Sequence, residues 1–249
     1  MSGIGTGYDL SATTYSPDGK VFQTEYAQKA VDGGSTVIGL RCKDGVVLAV
    51  EKLIISKLLV EGSNRRIYNV DRHAGLATSG LAPDGRMVVS RACEEAANYK
   101  QFYGELIPGH VLCDRVASYM HMFNLYWAFR PYGSTVLLAT YDKNGPALHV
   151  IDPSGTSFRY VGAAVGKGRQ LARNEIEKLK LSEMTCREAV VVAAKILHKV
   201  HEEETKPFEI EMSWLCEESG LQHQKVPADL LAAAEAQAKA ALQDDDMDD

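Results

Sequence analysis

Two segments of the chain carry residue types and spacings that could bind a ligand. His198 and His201 lie three residues apart in a helical stretch, so their imidazoles share one face, but no third metal ligand is close by. A structural zinc site needs four ligands, and we expect no metal site. The glycine-rich run 162–168, GAAVGKG, has three residues between its first two glycines, and Gly168 stands where a phosphate-binding loop has Ser or Thr. We expect a tight turn before a helix there.

Five cysteines offer thiol chemistry, but their spacing does not favour it. None belongs to a Cys-x-x-Cys pair, and each lies in an otherwise regular apolar segment, as buried free thiols usually do. Free thiols are typical of a reducing compartment inside the cell. The cysteines are Cys42, Cys93, Cys113, Cys186 and Cys216.

The elements that must position functional residues begin with a turn and a helix. Residues 16–19, Ser-Pro-Asp-Gly, are typical of a β-turn. The run 20–31 has apolar residues at helical spacing, and two glycines after it end the predicted helix. The Asp44-Gly45 pair indicates a hairpin between two β-rich runs. The strands predicted in this part are 36–42, 46–50, 66–70 and 74–79.

The rest of the chain alternates helices with strands. The predicted helices are 83–103, 111–129, 166–180, 185–204 and 227–242, and the predicted strands are 134–141, 147–151, 157–161 and 208–214. The last of these strands alternates strictly, which favours one buried face. This order indicates an α+β fold of two stacked antiparallel sheets flanked by helices. We predict one domain over 1–243, with an N-terminal tail and helix at 1–34 and a disordered acidic tail at 244–249.

The net charge of −6 comes mostly from the C-terminal end. The chain has 27 Lys and Arg against 33 Asp and Glu, and five of the aspartates lie in the final DDDMDD. The body is therefore nearly neutral, which does not favour binding to nucleic acid or to an anionic membrane. No run of 18 apolar residues and no secretory signal is visible. We expect neither a nucleic-acid nor a membrane partner.

Motifs along the whole length resemble those of proteasome α-type subunits. The segment Gly7 to Val31, GYDLSATTYSPDGKVFQTEYAQKAV, is similar to their N-terminal signature. Later matches are GSTVIGLRCKDGVVLAVEK, NVDRHAGLATSGLAPDGR, LYWAFRPYG, IDPSG, GAAVGKGRQLARNEIEKL and FEIEMSW. The motifs GTGYDLS and VDRH and the acidic C terminus resemble most the eukaryotic subunit type of the seventh α position.

The resemblance implies a four-layer αββα sandwich of the N-terminal-nucleophile hydrolase type. It also implies a place in the outer heteroheptameric α ring of the 20S core particle, beside other α subunits, against β-ring subunits and beneath regulatory caps such as the 19S particle. Such a subunit templates assembly, narrows the pore and receives caps without cutting peptides, while the particle degrades ubiquitinated and unfolded proteins. The resemblance implies the cytoplasm and nucleus as location, and no cofactor.

The related β subunits are enzymes whose nucleophile is the first residue of the mature chain. Its free α-amine, with an ordinary pKa of about 8, serves as the base. Aligning the Lys-Asp-Gly hairpin places the degenerate nucleophile region at Ser35, Thr36 and Glu51. The catalytic Lys of those enzymes falls at Arg66 or Ile67, and a guanidinium is a poor proton acceptor.

The 34 residues before this region look like a folded tail and helix rather than a cleavable propeptide. We therefore expect no catalytic residue. The alternative, an autoprocessed hydrolase that uses Ser35 or Thr36, requires the loss of residues 1–34. A free-standing binding module is a third class, and it would be monomeric.

The resemblance implies a gate function for Tyr8, Asp9, Pro17 and Tyr26. In the family, these positions hold the open pore through contacts between the tails of adjacent subunits. A phenol can donate a hydrogen bond to a carboxylate, and a proline fixes the turn on which the tail pivots. Leu10 stands where many α subunits have Arg, so one charge-assisted contact is lost. The alternative is a floppy terminus, with Tyr26 as an ordinary packing aromatic.

The resemblance also implies an activator pocket at Arg66 and Gly80. Caps insert C-terminal tails between neighbouring α subunits, where a family Lys pairs with the incoming carboxylate. Arg66 occupies that position, and Arg binds carboxylates with a different reach and geometry from Lys. Gly80 matches a glycine that lets the peptide approach. The alternative is that Arg65 and Arg66 form a solvated strand end.

Overall fold

The computed structural model describes residues 7–60, 62–201 and 207–245. The helices are α1 (Phe22–Asp32), α2 (Ala82–Tyr103), α3 (Gly109–Met122), α4 (Arg169–Glu177), α5 (Cys186–His201) and α6 (Ala228–Asp245). The strands are β1 (Val37–Arg41), β2 (Gly45–Leu53), β3 (Ile67–Asp71), β4 (Ala74–Gly80), β5 (Ser134–Asp142), β6 (Gly145–Ile151), β7 (Ser157–Tyr160), β8 (Gly162–Val165), β9 (Phe208–Cys216) and β10 (Gln224–Lys225). No helix within these ranges is long and apolar enough to cross a membrane.

Two five-stranded antiparallel sheets form the centre of the fold. The first has the strand order β10-β9-β2-β1-β8, and the second has the order β3-β4-β5-β6-β7. Helices α4, α5 and α6 bury an apolar cluster against the first sheet, and α2 and α3 bury another against the second. A third cluster fills the space between the sheets. The predicted α+β fold of two stacked sheets between helices is therefore confirmed.

Strand β9 differs from its predicted one-sided burial. Residues 210–216 are all buried, because α5 covers one face of the strand and the second sheet covers the other. The polar residues at alternate positions are therefore inside the protein. Glu211 accepts a hydrogen bond from the Arg66 backbone N–H at 2.8 Å, and Ser213 bonds His223 at 2.8 Å.

Helix α3 ends at Met122, seven residues before the predicted end. Beyond it, the Phe123 ring packs against Tyr132 at 4.6 Å and against Phe129 at 5.2 Å between centroids. The Asn124 amide donates to the Met120 carbonyl at 3.2 Å, which satisfies one of the groups left free at the helix end. Aromatic packing therefore folds the chain back where the apolar periodicity alone favours more helix.

The predicted turn at 162–168 is partly wrong. Residues Gly162–Val165 form β8, which pairs with β1, and the turn begins only at Gly166, whose φ is +96°. The final helix runs to Asp245 and so includes the first two residues of the tail predicted as disordered at 244–249. Residues 1–6, 61, 202–206 and 246–249 lie outside the described residues. The single-domain boundary at 243 stays a prediction.

A buried histidine links the two sheets. The neutral imidazole of His223 donates from Nδ1 to the Asn69 Oδ1 atom of β3 at 2.5 Å and accepts at Nε2 from the Ser213 hydroxyl of β9 at 2.8 Å. Burial lowers the pKa of His223 to about 4, which keeps the ring neutral at neutral pH. The ring lies against the Cα atom of Gly75 in β4, where a Cβ atom would overlap it.

We expect Gly75→Ala to destabilise the protein by about 1–3 kcal/mol, because overpacking forces the His223 ring away from its two partners. The measurement is the free energy of unfolding in denaturant. His223→Ala should cost less in the Gly75→Ala background than in the wild type, because the two residues touch. Gly33→Ala is the matched control, since a Cβ atom there meets nothing closer than 3.7 Å. Equal stabilities for Gly75→Ala and the wild type would contradict this packing.

Candidate functional site

The N-terminal segment turns sharply before α1. The Gly19 N–H donates to the Ser16 carbonyl at 2.9 Å, and the Ser16 N–H donates to the Lys20 carbonyl at 2.9 Å. The Ser16 side chain is buried and accepts from the Lys20 N–H at 3.1 Å. Pro17 is exposed in the second position of this turn, where its fixed φ suits the geometry. The predicted turn is confirmed, and it places the preceding tail beside α1.

Asp9 is held on the surface of α1. The Tyr26 hydroxyl donates to Asp9 Oδ2 at 3.2 Å, and the Gln23 side-chain amide donates to the Asp9 carbonyl. Partial desolvation and the Asp9 carboxylate raise the pKa of Tyr26, so the phenol stays protonated and able to donate. The Lys29 ammonium lies 5.4 Å from the centre of the Tyr26 ring. Asp9 and Tyr26 are two of the four predicted gate residues, and the structure brings them together.

Tyr8 and Leu10 stand apart from this cluster. The Tyr8 side chain is 43% exposed and that of Leu10 is 87% exposed. Within the described residues, the Tyr8 hydroxyl has no hydrogen-bond partner. In the part of the chain that the structure describes, no hydrogen bond joins Pro17 to Asp9, Gln23 or Tyr26. The structure therefore joins two of the four predicted gate residues and leaves Tyr8 exposed on the surface.

Gln23 is a residue that sequence analysis did not assign to the gate. It lies three positions before Tyr26, so both side chains occupy the same face of α1. That spacing is the sequence signal that could have identified it. At the next position of the same helix, the Thr24 hydroxyl donates to Asn124 Oδ1 at 2.9 Å. Because Asn124 also donates to the Pro153 carbonyl at 3.0 Å, α1 is tied to the end of α3 and to the β6–β7 turn.

The segment that leads into β1 is enclosed by backbone. A Cβ atom on Gly34 would lie 2.7 Å from the Gly80 Cα atom, so the backbone segments at Gly34 and Gly80 are in direct contact. The Ser79 hydroxyl donates to the Ser35 carbonyl at 2.7 Å, and the Thr36 hydroxyl accepts from the Gly168 N–H at 3.1 Å. Ser35 and Thr36 are therefore built into a junction between both sheets and the start of α4. In this chain the nitrogen of Ser35 is an amide, because it is bonded to Gly34.

Glu51 faces away from that junction. Its neighbour Val50 lies in the cluster between the sheets, so the alternation of β2 directs Glu51 to the opposite face, under α5. There the Glu51 carboxylate is buried and lies 2.7 Å from Nδ1 of His201. The structure thus separates Glu51 from Arg66. Among the described residues, no group of three or more His, Cys, Asp or Glu side chains is arranged to hold a metal ion.

Arg66 and Gly80 meet at the end of the second sheet. The Arg66 Nη1 atom donates to the Gly80 carbonyl at 3.0 Å, and burial lowers the pKa of this half-buried guanidinium. Its Nε atom is buried without a hydrogen-bond partner in the part of the chain that the structure describes. Gly80 has a φ of +99°, and a Cβ atom there would overlap the Gly133 carbonyl. Arg66 is therefore not a solvated strand end, and Ile67, the other candidate position, is a buried core residue.

Comparisons with known proteins agree with these features. A family model described as "Proteasome subunit" matches residues 31–215, and a second model, which describes the N-terminal signature of the A-type proteasome subunits, matches residues 8–30. "Proteasome subunit alpha type-3" of Oryza sativa subsp. japonica is 61% identical over 249 residues, which cover both chains completely. The protein of the same description from Acanthamoeba castellanii is 58% identical over 244 residues, covering 98% of this chain and 97% of its own. "Probable proteasome subunit alpha type-7" of Saccharomyces cerevisiae is 50% identical, covering 94% of this chain and 83% of its own.

The matched signature includes all four predicted gate positions, and the longer match includes the second sheet, the first sheet except for β10 and the last residue of β9, and the helices from α2 to α5. Full-length identity of this size indicates a shared fold and assembly with other proteasome subunits. The chain therefore belongs to the proteasome subunit family and is an α subunit of the 20S core particle.

Proposed function

We propose that this chain is a catalytically silent subunit that shapes the pore and receives activators in the outer α ring. Its neighbours are other α subunits in a heteroheptameric ring and the subunits of the adjoining β ring. Regulatory caps such as the 19S particle dock on the outer face. The particle degrades ubiquitinated and unfolded proteins in the cytoplasm and nucleus.

The packing of α1 against the rest of the fold is the observation that supports catalytic silence. Ala27 and Val31 bury the apolar face of this helix, and the backbone of Gly34 touches that of Gly80. Arg169 forms an ion pair with Asp32 at 2.8 Å, which fastens the end of the helix to α4. A segment bound in this way is part of the fold rather than a propeptide. Without cleavage before Ser35, no free α-amine exists to act as the base.

The N-terminal cluster supports a gate function. Asp9 is fixed to α1 by two donors, whereas its sequence neighbours Tyr8 and Leu10 are exposed. An anchored carboxylate beside a free phenol suits contacts that continue from one subunit to the next around a ring. The anchored position also sets where the tail leaves the body of the subunit.

The surroundings of Arg66 support an activator-docking function. One guanidinium nitrogen is bound to the Gly80 carbonyl, and the buried Nε atom has no partner among the described residues. Arginine has five N–H donors, so donors remain for an incoming carboxylate. Half-burial of the guanidinium strengthens such a charge-assisted hydrogen bond. The geometry therefore suits capture of a C-terminal carboxylate.

The intact mass of the chain purified from assembled particles tests silence. We expect residues 2–34 to be retained, because α1 is held by packing and hydrogen bonds. Ser35→Ala should leave peptide hydrolysis by the particle unchanged, since this serine is not a nucleophile. A chain that begins at Ser35 or Thr36 would instead identify an autoprocessed hydrolase and overturn the proposal.

Two variants, one in the tail and one in α1, test the proposed gate function. Deletion of residues 2–11 should raise basal peptide hydrolysis severalfold, because the tail no longer narrows the pore. Tyr26→Phe should lower cap-stimulated hydrolysis by roughly twofold to tenfold, the range for one lost hydrogen bond, because Asp9 loses a donor that holds the open state. Tyr15→Phe is the matched control, since Tyr15 is 70% exposed and lies outside the Asp9 cluster. Unchanged hydrolysis in both variants would rule out a dominant gating role.

Substitution of Arg66 tests docking. We expect Arg66→Ala to raise the cap concentration needed for half-maximal stimulation and to leave basal hydrolysis unchanged, because the carboxylate partner is lost. Arg66→Lys should restore part of the response, since the charge is kept. Arg65→Ala, at an exposed neighbour, is the control. If Arg66→Ala lowers thermal stability but leaves the cap titration unchanged, the arginine is structural and the docking proposal fails.

A further inference from the structure

A buried carboxylate crosses the space between the two sheets. Glu211 of β9 lies opposite Val50 of β2, and Val50 belongs to the cluster between the sheets, so both side chains face the second sheet. The Glu211 side chain is only 9% exposed. Its Oε2 atom accepts a hydrogen bond from the Arg66 backbone N–H at 2.8 Å. A charged residue of the first sheet thus holds the residue that leads into β3 of the second sheet.

The main chain of Arg66 is held on both sides of its Cα atom. The N–H donates to Glu211, and the carbonyl accepts from the Thr78 N–H of β4 at 2.9 Å. These two bonds fix where the Arg66 side chain begins, and the bond from Nη1 to the Gly80 carbonyl fixes where it ends. A long side chain that is already ordered loses less conformational entropy when a ligand binds. The position of the guanidinium therefore depends on the hydrogen bond to Glu211.

Glu211 holds the backbone of Arg66 without pairing with its guanidinium. Among the described residues, no ion pair joins these two side chains. The Lys52 ammonium lies 4.0 Å from Glu211 Oε2 and 3.2 Å from Glu209 Oε2, so it offsets both carboxylates. Burial lowers the pKa of Arg66, and the Glu211 carboxylate is among the groups that oppose this shift. The guanidinium thus stays charged and keeps N–H donors for an external carboxylate.

The bond to Arg66 requires the length of the Glu211 side chain more than its charge. Sheets that stack face to face lie roughly 10 Å apart, so an acceptor on β9 needs a long side chain to reach the start of β3. The second carboxylate oxygen, Oε1, is buried and has no hydrogen-bond partner in the part of the chain that the structure describes. A neutral amide of the same length could accept the same N–H at a lower desolvation cost.

We propose that Glu211 is a positioning residue for activator docking, which holds the Arg66 N–H across the two sheets and so places the guanidinium for an incoming C-terminal carboxylate. This role rests on the proposed docking function of Arg66. Without the bond, the start of β3 can shift, and the guanidinium then meets the carboxylate with poorer hydrogen-bond geometry. The affinity for the cap should fall, whereas the maximal stimulation should not, because every particle carries a cap at saturation.

Two substitutions separate the length of the side chain from its charge. Glu211→Asp keeps the charge but is one methylene shorter, and we expect it to raise the cap concentration for half-maximal stimulation by roughly threefold to tenfold, the factor for one weakened hydrogen bond. Glu211→Gln should bind the cap at least as tightly as the wild type, because its amide oxygen still accepts from the Arg66 N–H. The reverse order, or no change in Glu211→Asp, would overturn the inference.

The same substitution in an Arg66→Ala background shows whether Glu211 acts through Arg66. Glu211→Asp should then shift the cap titration no further, because the two residues contribute as one unit. A further shift of equal size would make Glu211 merely structural and overturn the inference. Glu209→Asp is the matched control on the same strand and face, since it contacts Lys52 and should leave the titration unchanged. The docking function fails separately, if Arg66→Ala alone leaves the titration unchanged.

A structure of the wild-type particle with a cap bound decides the matter if the Glu211→Asp variant does not assemble. We expect the Arg66 N–H to remain bonded to Glu211 while the guanidinium binds the terminal carboxylate of the cap. A guanidinium that binds this carboxylate after the N–H has left Glu211 would overturn the positioning role and leave docking intact. A guanidinium without any contact to the carboxylate would refute the docking function, and the positioning role with it.

Discussion

The backbone contact between Gly34 and Gly80 is the constraint on which the rest of the structure depends. The two backbone segments can touch because neither glycine carries a Cβ atom and because Gly80 adopts a φ of +99° that other residues avoid. This contact seats the end of α1 against β4 and leads directly into β1. The Lys167 N–H donates to the Gly34 carbonyl at 3.0 Å, so the turn between β8 and α4 closes on the same point. Both sheets and two helices are therefore fixed by one junction of main chain.

The same junction explains how a hydrolase-type fold can serve as a scaffold. In the enzymes of this fold, the first residue of the mature chain needs space around a free amine. In the proposed uncleaved chain, that position is an ordinary peptide bond to Gly34, and the Ser79 hydroxyl binds the Ser35 carbonyl. The Glu51 carboxylate contacts His201 on the outer face of the sheet. Among the described residues, the Ser35 carbonyl, the Thr36 hydroxyl and the Glu51 carboxylate thus each have a structural partner, which favours the proposed silence over a dormant activity.

The sequence predicts structure well where residues within a single turn, helix or strand determine it. It predicts structure poorly where the result depends on packing or pairing between two elements. The turn before α1, the β1–β2 hairpin and the existence of all long helices follow from turn residues and periodicity. Strand β8 was not predicted because its residues, Gly-Ala-Ala-Val, have little strand propensity and depend on pairing with β1. The end of α3 was misplaced because the ring of Phe123 packs on residues beyond the helix. The sheet face on which the Glu51 side chain lies depends on strand register, since a shift of one residue would move this side chain to the opposite face.

The cluster around Asp9 shows how geometry can hold a carboxylate without a charged donor. Asp9 is held by the neutral donors of Tyr26 and Gln23. Both donors project from one face of a helix that is itself fixed by the Gly34 junction, so their positions need little further ordering. A guanidinium on the flexible tail would give a stronger contact but would lose more side-chain entropy. The precision of the proposed gate therefore comes from the rigidity of α1 rather than from the strength of any single contact in the tail.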